Sequence, residues 1–592
     1  MDLGKAQPPS KPADLSASAP LDSWKEIASY LKRDERTVRR WEKEGLPIHR
    51  HMHKKRATVY AYKSEIDIWW RNGRSRLESA EAAAAGRRRF TWLFAGLLAA
   101  TVVGLGLNAS GLLDRLLGRP IAVELNSIAV LPLRNLSADR EQDYFAEGMT
   151  EALITHLGKI GTLHVISHQS VLGYRGATKS LPEIAEELKV SKILEGTVLR
   201  SGDRVRVTAN LVQATPERHL WAESFEFDRR DILAVQGQVA REVASHIRIR
   251  LTPQERGRLA ASRPVDPEAY EAYLLGRAYF YKARTPINSK RAKEYFEKAI
   301  AKDPGYAPAY ASIAELYIWT GGAGTLTRER AGYREAHFQA REWAEKALKL
   351  DDTLAEAHNA LAMVKQAEWD WDGAERAYRR AIELNQSYSV ARASYAMHLY
   401  ALQRFDEAAA QARRAQQLDP ASPFINTWAA AAYFFAQRTE EGMASLQKAL
   451  ELEPNYYDAS IVLARTYVAK GMYQQAISEL QKALSLHARD AGVLGALAHA
   501  HARAGDREKA LQLVDRLNQT GGATFVMVWA YAGLGDKEQA FAWLERSYEE
   551  RRQRMVWLNV DPLLEPLRSD PRFADLVRRV GLPSPAPAIA RQ

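Results

Sequence analysis

The sequence has no cysteine among its 592 residues. Disulfide scaffolds, zinc ribbons, iron–sulfur clusters and thiol nucleophiles are therefore excluded. The compartment stays open, because a chain without thiols is stable in both reducing and oxidising surroundings. Signature motifs of catalysis are also missing, since we find no Walker loop, nucleophile elbow, HExxH pair or paired-carboxylate motif. We therefore expect no enzymatic activity and no cofactor.

Positive charge is unevenly distributed along the chain. Residues 1–89 carry 20 lysines and arginines against 12 acidic residues, whereas the rest of the chain carries 63 against 60. This excess in a small N-terminal part favours a polyanion partner there or a membrane-orientation signal. Hydrophobic residues (46%) and charged residues (26%) occur in proportions typical of folded protein, and the length predicts several domains.

One long uncharged run divides the chain. Phe90–Leu107 is 18 residues without a charge, and Asn108–Leu113 extends the run to 24. Such a helix is long enough to cross the ~30 Å hydrocarbon core of a bilayer. A buried helix of a soluble protein is the alternative, but it would show a polar stripe, which this run lacks. We predict a transmembrane helix at 90–113.

Flanking charge predicts the orientation of that helix. Six arginines lie in residues 71–89 and only two in residues 108–127. Because the positive side stays in the cytoplasm, we expect a single-pass protein of a bacterial inner membrane with a cytoplasmic N-terminus and periplasmic C-terminal domains. Residues 74–89 form a basic juxtamembrane linker that also suits anionic lipid. Residues 1–20, rich in proline, serine and alanine, predict a disordered tail without a signal peptide.

Residues 21–73 predict a small DNA-binding domain. Ser23 and Glu26 form a capping box that begins a first helix, and a second helix is predicted from Glu35 to Glu44, with Gly45 as its stop. Two short helices joined by a tight turn form a helix-turn-helix. An alternating basic stretch then predicts a wing hairpin, and a third helix follows that carries Ile66, Ile68 and Trp69.

Basic residues of the second helix and the wing are the predicted DNA contacts. Arginine on a major-groove helix bonds guanine, and other basic groups neutralise phosphate. The alternative is a merely solvated charged face. The predicted DNA-binding residues are Arg36, Thr37, Arg39, Arg40, Lys43, Arg50, Lys54, Lys55 and Arg56. We expect no metal site, because the alternating His49, His51 and His53 lack a further ligand close in sequence.

The run TVRRWEKEGLP at Thr37–Pro47, followed by a basic wing ending at Tyr60, resembles the winged helix-turn-helix of the MerR and excisionase group. The resemblance implies binding of double-stranded DNA, usually as a dimer on a two-fold site. The long dimerising helix of MerR activators is missing here. Dimerisation therefore comes from elsewhere in the chain, or the domain binds as a monomer.

Residues 121–252 predict an α/β domain. A short apolar strand at 127–132, an amphipathic helix at 143–160 and a hairpin turn at Ser201-Gly202-Asp203 carry this prediction. The runs SIAVLPL, DYFAEGMTE and EGTV resemble the TolB N-terminal and FlgO type of domain. That resemblance implies packing with partners in envelope assemblies and no catalysis.

The C-terminal half is periodic. Small residues recur every 34 positions in three series, the first of which is Ala340, Ala374, Ala408, Gly442, Ala476 and Ala510. This period predicts about eight tetratricopeptide helix pairs at 266–560, followed by a cap and tail at 561–592. Stacked repeats form a superhelix whose concave groove is expected to bind proteins or peptides, with passive oligomerisation as the alternative.

The predicted fold class is thus multidomain: a small winged helix-turn-helix, one transmembrane helix, an α/β domain and an all-α tetratricopeptide superhelix. This plan resembles that of ToxR-like and CadC-like regulators, whose winged helix is of a different type. It implies a membrane-anchored one-component transcriptional regulator in which extracytoplasmic sensing brings two DNA-binding domains together. The alternative is an envelope scaffold with a non-functional or architectural DNA-binding module.

Overall fold

The computed structural model describes residues 20–43, 45–53, 56–71, 126–137, 139, 142–260, 263–281, 285–320, 332–486, 490–519 and 524–584. The chain divides into two compact units, Met1–Pro120 and Ile121–Gln592. The transmembrane helix predicted at 90–113 and the linker predicted at 74–89 both lie outside the described residues. Within the ranges given above, no helix combines the length and the apolar character needed to cross a bilayer.

The first unit consists of short helices and one hairpin. Its elements are α1 (Trp24–Tyr30), α2 (Glu35–Glu42), the antiparallel strands β1 (His49–His53) and β2 (Arg56–Tyr60), and the helical residues 63–71, here α3. The amide of Glu26 donates to Ser23 Oγ at 3.2 Å, and its carboxylate accepts from the amide of Asp22. Both local bonds hold the first turn of α1.

One sequence-based expectation for this unit needs correction. Helix α2 ends at Glu42 and not at Glu44, because Gly45 turns the chain with φ +94° and its amide donates to the carbonyl of Glu42. Ile68 lies on the exposed side of α3, with 55% of its surface exposed. Two helical positions separate it from the fully buried Ile66, which turns it to the opposite side of α3.

The second unit begins with a six-stranded mixed sheet. Its strands are β3 (Ser127–Val130), β4 (Arg134–Asn135), β5 (His164–Val165), β6 (Lys192–Ser201), β7 (Arg204–Gln213) and β8 (Arg218–Asp228). The order is β5-β3-β6-β7-β8, and β4 pairs with β6. Strand β3 runs parallel to both neighbours, while β6, β7 and β8 form an antiparallel meander. An α/β region therefore exists where the sequence predicts one.

Helices cover this sheet and lead into the repeats. They are α4 (Asp143–Gly158), α5 (His168–Val171), α6 (Leu181–Leu188), α7 (Ile232–His246) and α8 (Pro253–Ala260). Helix α4 buries Met149, Leu153 and Leu157 completely against the sheet. These residues recur at helical spacing, as the amphipathic pattern of the sequence indicates.

Eight helix pairs follow within the described part of the chain. The first helices of the pairs are Pro267–Tyr281, Ala307–Thr320, Ala355–Ala367, Ser389–Ala401, Pro423–Phe435, Tyr457–Ala469, Ala491–Arg503 and Thr524–Leu534. The second helices are Pro286–Lys302, Gly332–Leu350, Trp371–Leu384, Phe405–Leu418, Thr439–Leu452, Tyr473–Leu486, Arg507–Gln519 and Lys537–Glu549. The chain then forms 3₁₀ turns at Gln553–Trp557 and Pro562–Leu567 and a last helix at Pro571–Val580.

The 34-residue series marks the contacts between helices. Ala340, Ala374 and Ala408 are fully buried, and so are their later counterparts Ala476 and Ala510. A side chain of this size lets the two helices of a pair approach closely, because nothing larger than a methyl group separates their backbones. The periodicity is therefore a packing signal, as the sequence indicates.

The α/β region and the repeats pack into one compact unit, although the sequence predicts them as separate domains. The amide of Ser167 donates to the carbonyl of Leu418 at 2.8 Å. In the first repeat, Arg277 donates to the carboxylate of Glu151 in α4 at 2.6 and 2.9 Å. These bonds join residues far apart in sequence, so no local pattern indicates them.

Candidate nucleic-acid interface and repeat groove

Helix α2 has one buried and one basic side. Val38 and Trp41 are buried and pack the helix into the core of the first unit. The helix turns by about 100° per residue, so its basic side chains fall within an arc of about 100° on the opposite side. These exposed residues are Arg36, Arg39, Arg40 and Lys43. A basic arc of this kind has the chemistry to contact phosphate oxygens and base edges.

The structure separates the predicted residues of α2 by role. Thr37 Oγ1 donates to Asp34 Oδ2 at 2.8 Å, and the Thr37 amide donates to Oδ1 at 2.9 Å. These hydrogen bonds from Thr37 lower the pKa of Asp34. Arg39 lies 5.2 Å above the ring of Trp24 in α1 and 3.6 Å from the carboxylate of Glu35. Thr37 is therefore engaged in capping and Arg39 in bracing the two helices.

The hairpin residues are only partly described. Arg50 is exposed, and its guanidinium donates to Glu42 Oε1 at 2.5 Å, which ties β1 to the end of α2. Lys54 and Lys55 lie outside the described residues, and Arg56 begins β2. His49 Nε2 lies 2.7 Å from Glu65 Oε2, so this histidine joins the hairpin to α3.

The chain's own C-terminal segment, residues 553–584, covers the inner side of the later repeats. Leu558, Leu563 and Leu564 of this segment are fully buried. They belong to the core that the first helices of the later repeats form. The hydroxyl of Tyr400 donates to the carbonyl of Val560, and Trp371 Nε1 donates to the carbonyl of Val580, both at 3.0 Å. The described part of the predicted cap and tail, residues 561–584, therefore also lines the groove.

Asp561 is the polar anchor of this segment. Its side chain is 2% exposed, and its two oxygens have different partners. Trp529 Nε1 donates to Oδ2 at 2.9 Å, and Arg465 lies 2.8 Å from Oδ1. The guanidinium of Arg554 lies 4.7 Å from the ring centroid of the same tryptophan. Sequence reasoning missed this cluster, because its members come from three distant segments.

An apolar pocket remains beside the buried segment. Met363, Met397, Trp428 and Trp557 line it, and all four are half-buried. Trp428 also contacts Phe424 with ring centroids 5.0 Å apart. Methionine and aromatic side chains adapt to different apolar groups, so this part of the inner side has the chemistry to accept an apolar side chain.

Comparison with known protein families identifies the type of the repeats. A tetratricopeptide repeat family model matches residues 433–480 and 467–523. The repeats predicted from the 34-residue period are thereby confirmed, and repeats of this kind are protein-interaction scaffolds. The match covers only part of the chain and extends to neither the first unit nor the α/β region.

The curated protein "Putative adenylate cyclase 3" of Rhizobium meliloti (strain 1021) is 34% identical over 257 residues, which is 42% of each chain. This chain therefore spans less than half the length of that relative.

Among solved structures, yeast Tom70 is 18% identical with a TM-score of 0.34, over 53% of this chain and 68% of its own. Pseudomonas aeruginosa PilF is 21% identical with a TM-score of 0.29, over 37% of this chain and 92% of its own.

Proposed function

We propose that the chain is a membrane-anchored transcriptional regulator whose first unit binds double-stranded DNA. The observation that carries this proposal is the exposed basic arc of α2, opposite the buried Val38 and Trp41. The unit also has two helices joined by a short turn and an antiparallel hairpin directly after them, the element order of a winged helix-turn-helix. Residues 90–113 would anchor the chain in the bacterial inner membrane, with the second unit in the periplasm.

The repeats supply the protein-interaction part of the proposal. Since the C-terminal segment covers the inner side of the later repeats, a partner would bind the remaining inner surface around Met363, Met397 and Trp428. The α/β region, with its resemblance to TolB N-terminal and FlgO domains, would add an envelope contact. A partner that brings two chains together raises the local concentration of the DNA-binding units without any new base contact.

The DNA fragments that the full chain binds in cells test this proposal. We expect wild-type protein to enrich defined promoter fragments, and Arg36→Ala with Arg40→Ala to abolish the enrichment. Lys63→Ala removes a positive charge outside α2 and the hairpin and serves as the matched control, with enrichment retained. Equal enrichment by wild type and the double variant would contradict the assignment of α2.

The second candidate function is an envelope scaffold, and the match of the repeats to the tetratricopeptide family favours it. In that case the first unit has no role in DNA recognition, and wild-type protein enriches no promoter. We propose a non-enzymatic role in either case, because the sequence carries none of the catalytic motifs sought. The curated relative is named a putative adenylate cyclase, but this chain covers only 42% of that relative. We therefore do not carry its name over to this chain.

A further inference from the structure

A cavity of about 120 Å³ lies between the α/β region and the first repeats. Helix α4 forms one wall, and the helices Pro267–Tyr281 and Ala307–Thr320 with the start of the helix Ala355–Ala367 form others. At about 30 Å³ for each water molecule in the liquid, the volume corresponds to roughly four waters. The neighbouring pair Glu151 and Arg277 is already joined at 2.6 Å, so it does not need a ligand.

Two opposite charges line this cavity without pairing. Lys159, at the end of α4, and Glu356, in the third repeat, both line it. Neither makes an ion pair shorter than 4.0 Å within the described ranges. Burial lowers the pKa of Lys159, and the carboxylate of Glu356 acts in the opposite direction. Burial disfavours this half-buried ammonium, and the carboxylates of Glu356 and Asp351 act on it only from beyond ion-pair distance, so a ligand carboxylate beside it would offset the remaining cost.

A buried amide oxygen also lacks a partner at this cavity, and a histidine nitrogen beside it can act as an acceptor. Gln236 is fully buried, its Nε2 donates to Tyr270 at 2.8 Å, and its Oε1 has no partner in the described part of the chain. His156 Nδ1 lies 2.9 Å from the carbonyl of Ala152, which can only accept, so Nδ1 carries the proton. The neutral ring therefore has Nε2 as an acceptor, and burial lowers the pKa of His156 to about 3.

Aromatic rings complete the lining. Tyr273 and Tyr306 meet edge to face, with centroids 5.2 Å apart, and both line the cavity. No hydrogen bond of either hydroxyl is found among the residues that the structure describes. Tyrosine rings attract a ligand cation through their faces, and their hydroxyls donate to or accept from polar groups.

We propose that this cavity binds a small zwitterion of the α-amino-acid class, with about six non-hydrogen atoms. The ligand carboxylate pairs with Lys159, and the ligand ammonium pairs with Glu356. Gln236 Oε1 accepts a further hydrogen bond from the ammonium or from a polar side chain. Because the walls come from both the α/β region and the repeats, such a ligand stabilises the contact between them.

Calorimetric titration of the full chain with a panel of small amino acids, from glycine to leucine, tests this inference. We expect at least one to bind and to raise the unfolding temperature. Its amide lacks the carboxylate and its N-acetyl derivative lacks the ammonium, so each should bind about tenfold or more weakly. The inference is overturned if no amino acid binds, or if both derivatives bind as well as the parent.

Variants separate loss of the site from loss of the fold. Lys159→Gln and Glu356→Gln should each weaken binding about tenfold or more, while the exposed Lys349→Gln should not change it. Without ligand, Lys159→Met should unfold at an equal or higher temperature than wild type, because it removes an unpaired buried charge. Equal affinity of wild type and both cavity variants would overturn the site even if some amino acid binds elsewhere.

Discussion

Asp419 shows how a single buried carboxyl affects the contact between the α/β region and the repeats. It is 4% exposed, and Ser170 Oγ of α5 donates to its Oδ1 at 2.6 Å. The amide of Ala421 donates to the same serine hydroxyl at 2.9 Å. Burial raises the pKa of Asp419 to about 6, although hydrogen bonds from serines oppose the shift.

This pKa predicts a pH-dependent stability. The folded state holds the proton up to about pH 6, whereas an unfolded aspartate releases it near pH 3.9. The free energy of unfolding therefore falls as the pH rises through that window. Asp419→Asn removes this loss, which is at most about 3 kcal/mol for a shift of about two units.

We expect urea denaturation at pH 7.5 to find the Asn variant more stable than wild type. At pH 4.5 the difference should shrink. Asp352 is exposed, so Asp352→Asn is the control and should be as stable as wild type at both pH values. A wild type that is more stable than Asp419→Asn at pH 7.5 would contradict the account.

At the scale of the element, the C-terminal segment behaves as an internal ligand of the repeats. Its leucines are buried among the later repeats, and the buried carboxylate of Asp561 is paired with Arg465 and Trp529. The segment therefore stabilises the array along its inner side and not only at its end.

Removing the carboxylate of Asp561 tests this role. Asp561→Ala leaves Arg465 and Trp529 without their partner, and breaking a buried pair costs about 3–5 kcal/mol. We expect the urea midpoint of the repeats, measured by far-ultraviolet circular dichroism, to decrease strongly. Glu538→Ala breaks the exposed pair with Arg572 and should cost less than about 1 kcal/mol. Equal effects of the two substitutions would show that the segment is not anchored through Asp561.

The sequence predicts elements better than it predicts their assembly. The 34-residue series gives the repeats, since alanines such as Ala374 and Ala408 must be small wherever two helices meet. It does not predict the Asp561 cluster or the cavity at Lys159, because these sites join distant segments and leave no periodic signal. At the basic helix, residue types alone suggest Thr37 and Arg39 as contacts. Only the structure shows that Thr37 helps to cap α2 and that Arg39 stacks on Trp24.

At the scale of the whole second unit, close approach joins the α/β region to the repeats. A side chain at Gly158 would place its Cβ 2.5 Å from Asn385 Oδ1, so only glycine allows this contact without movement. The amide of Val165 also donates to Ser387 Oγ of the repeats at 3.1 Å. The two regions should therefore unfold together.

Gly158→Leu tests this cooperativity. We expect calorimetry of wild type to show one transition for the second unit, and the variant to show a separate, earlier transition for the α/β region. Gly173→Leu is the control, because nothing lies within 4 Å of its Cβ position. Two transitions in wild type would contradict a single cooperative unit.

The central claim is that the basic arc of α2 binds duplex DNA, and the salt dependence of binding tests it most directly. We would measure the affinity of the full chain for mixed duplex fragments between roughly 50 and 200 mM salt. The plot of log affinity against log salt has a negative slope, and each lost phosphate contact reduces the magnitude of that slope by about 0.9. Arg36→Ala, Arg40→Ala and Lys43→Ala together should therefore reduce it by about three. Wild-type protein that binds no duplex at the lowest salt concentration would contradict the account.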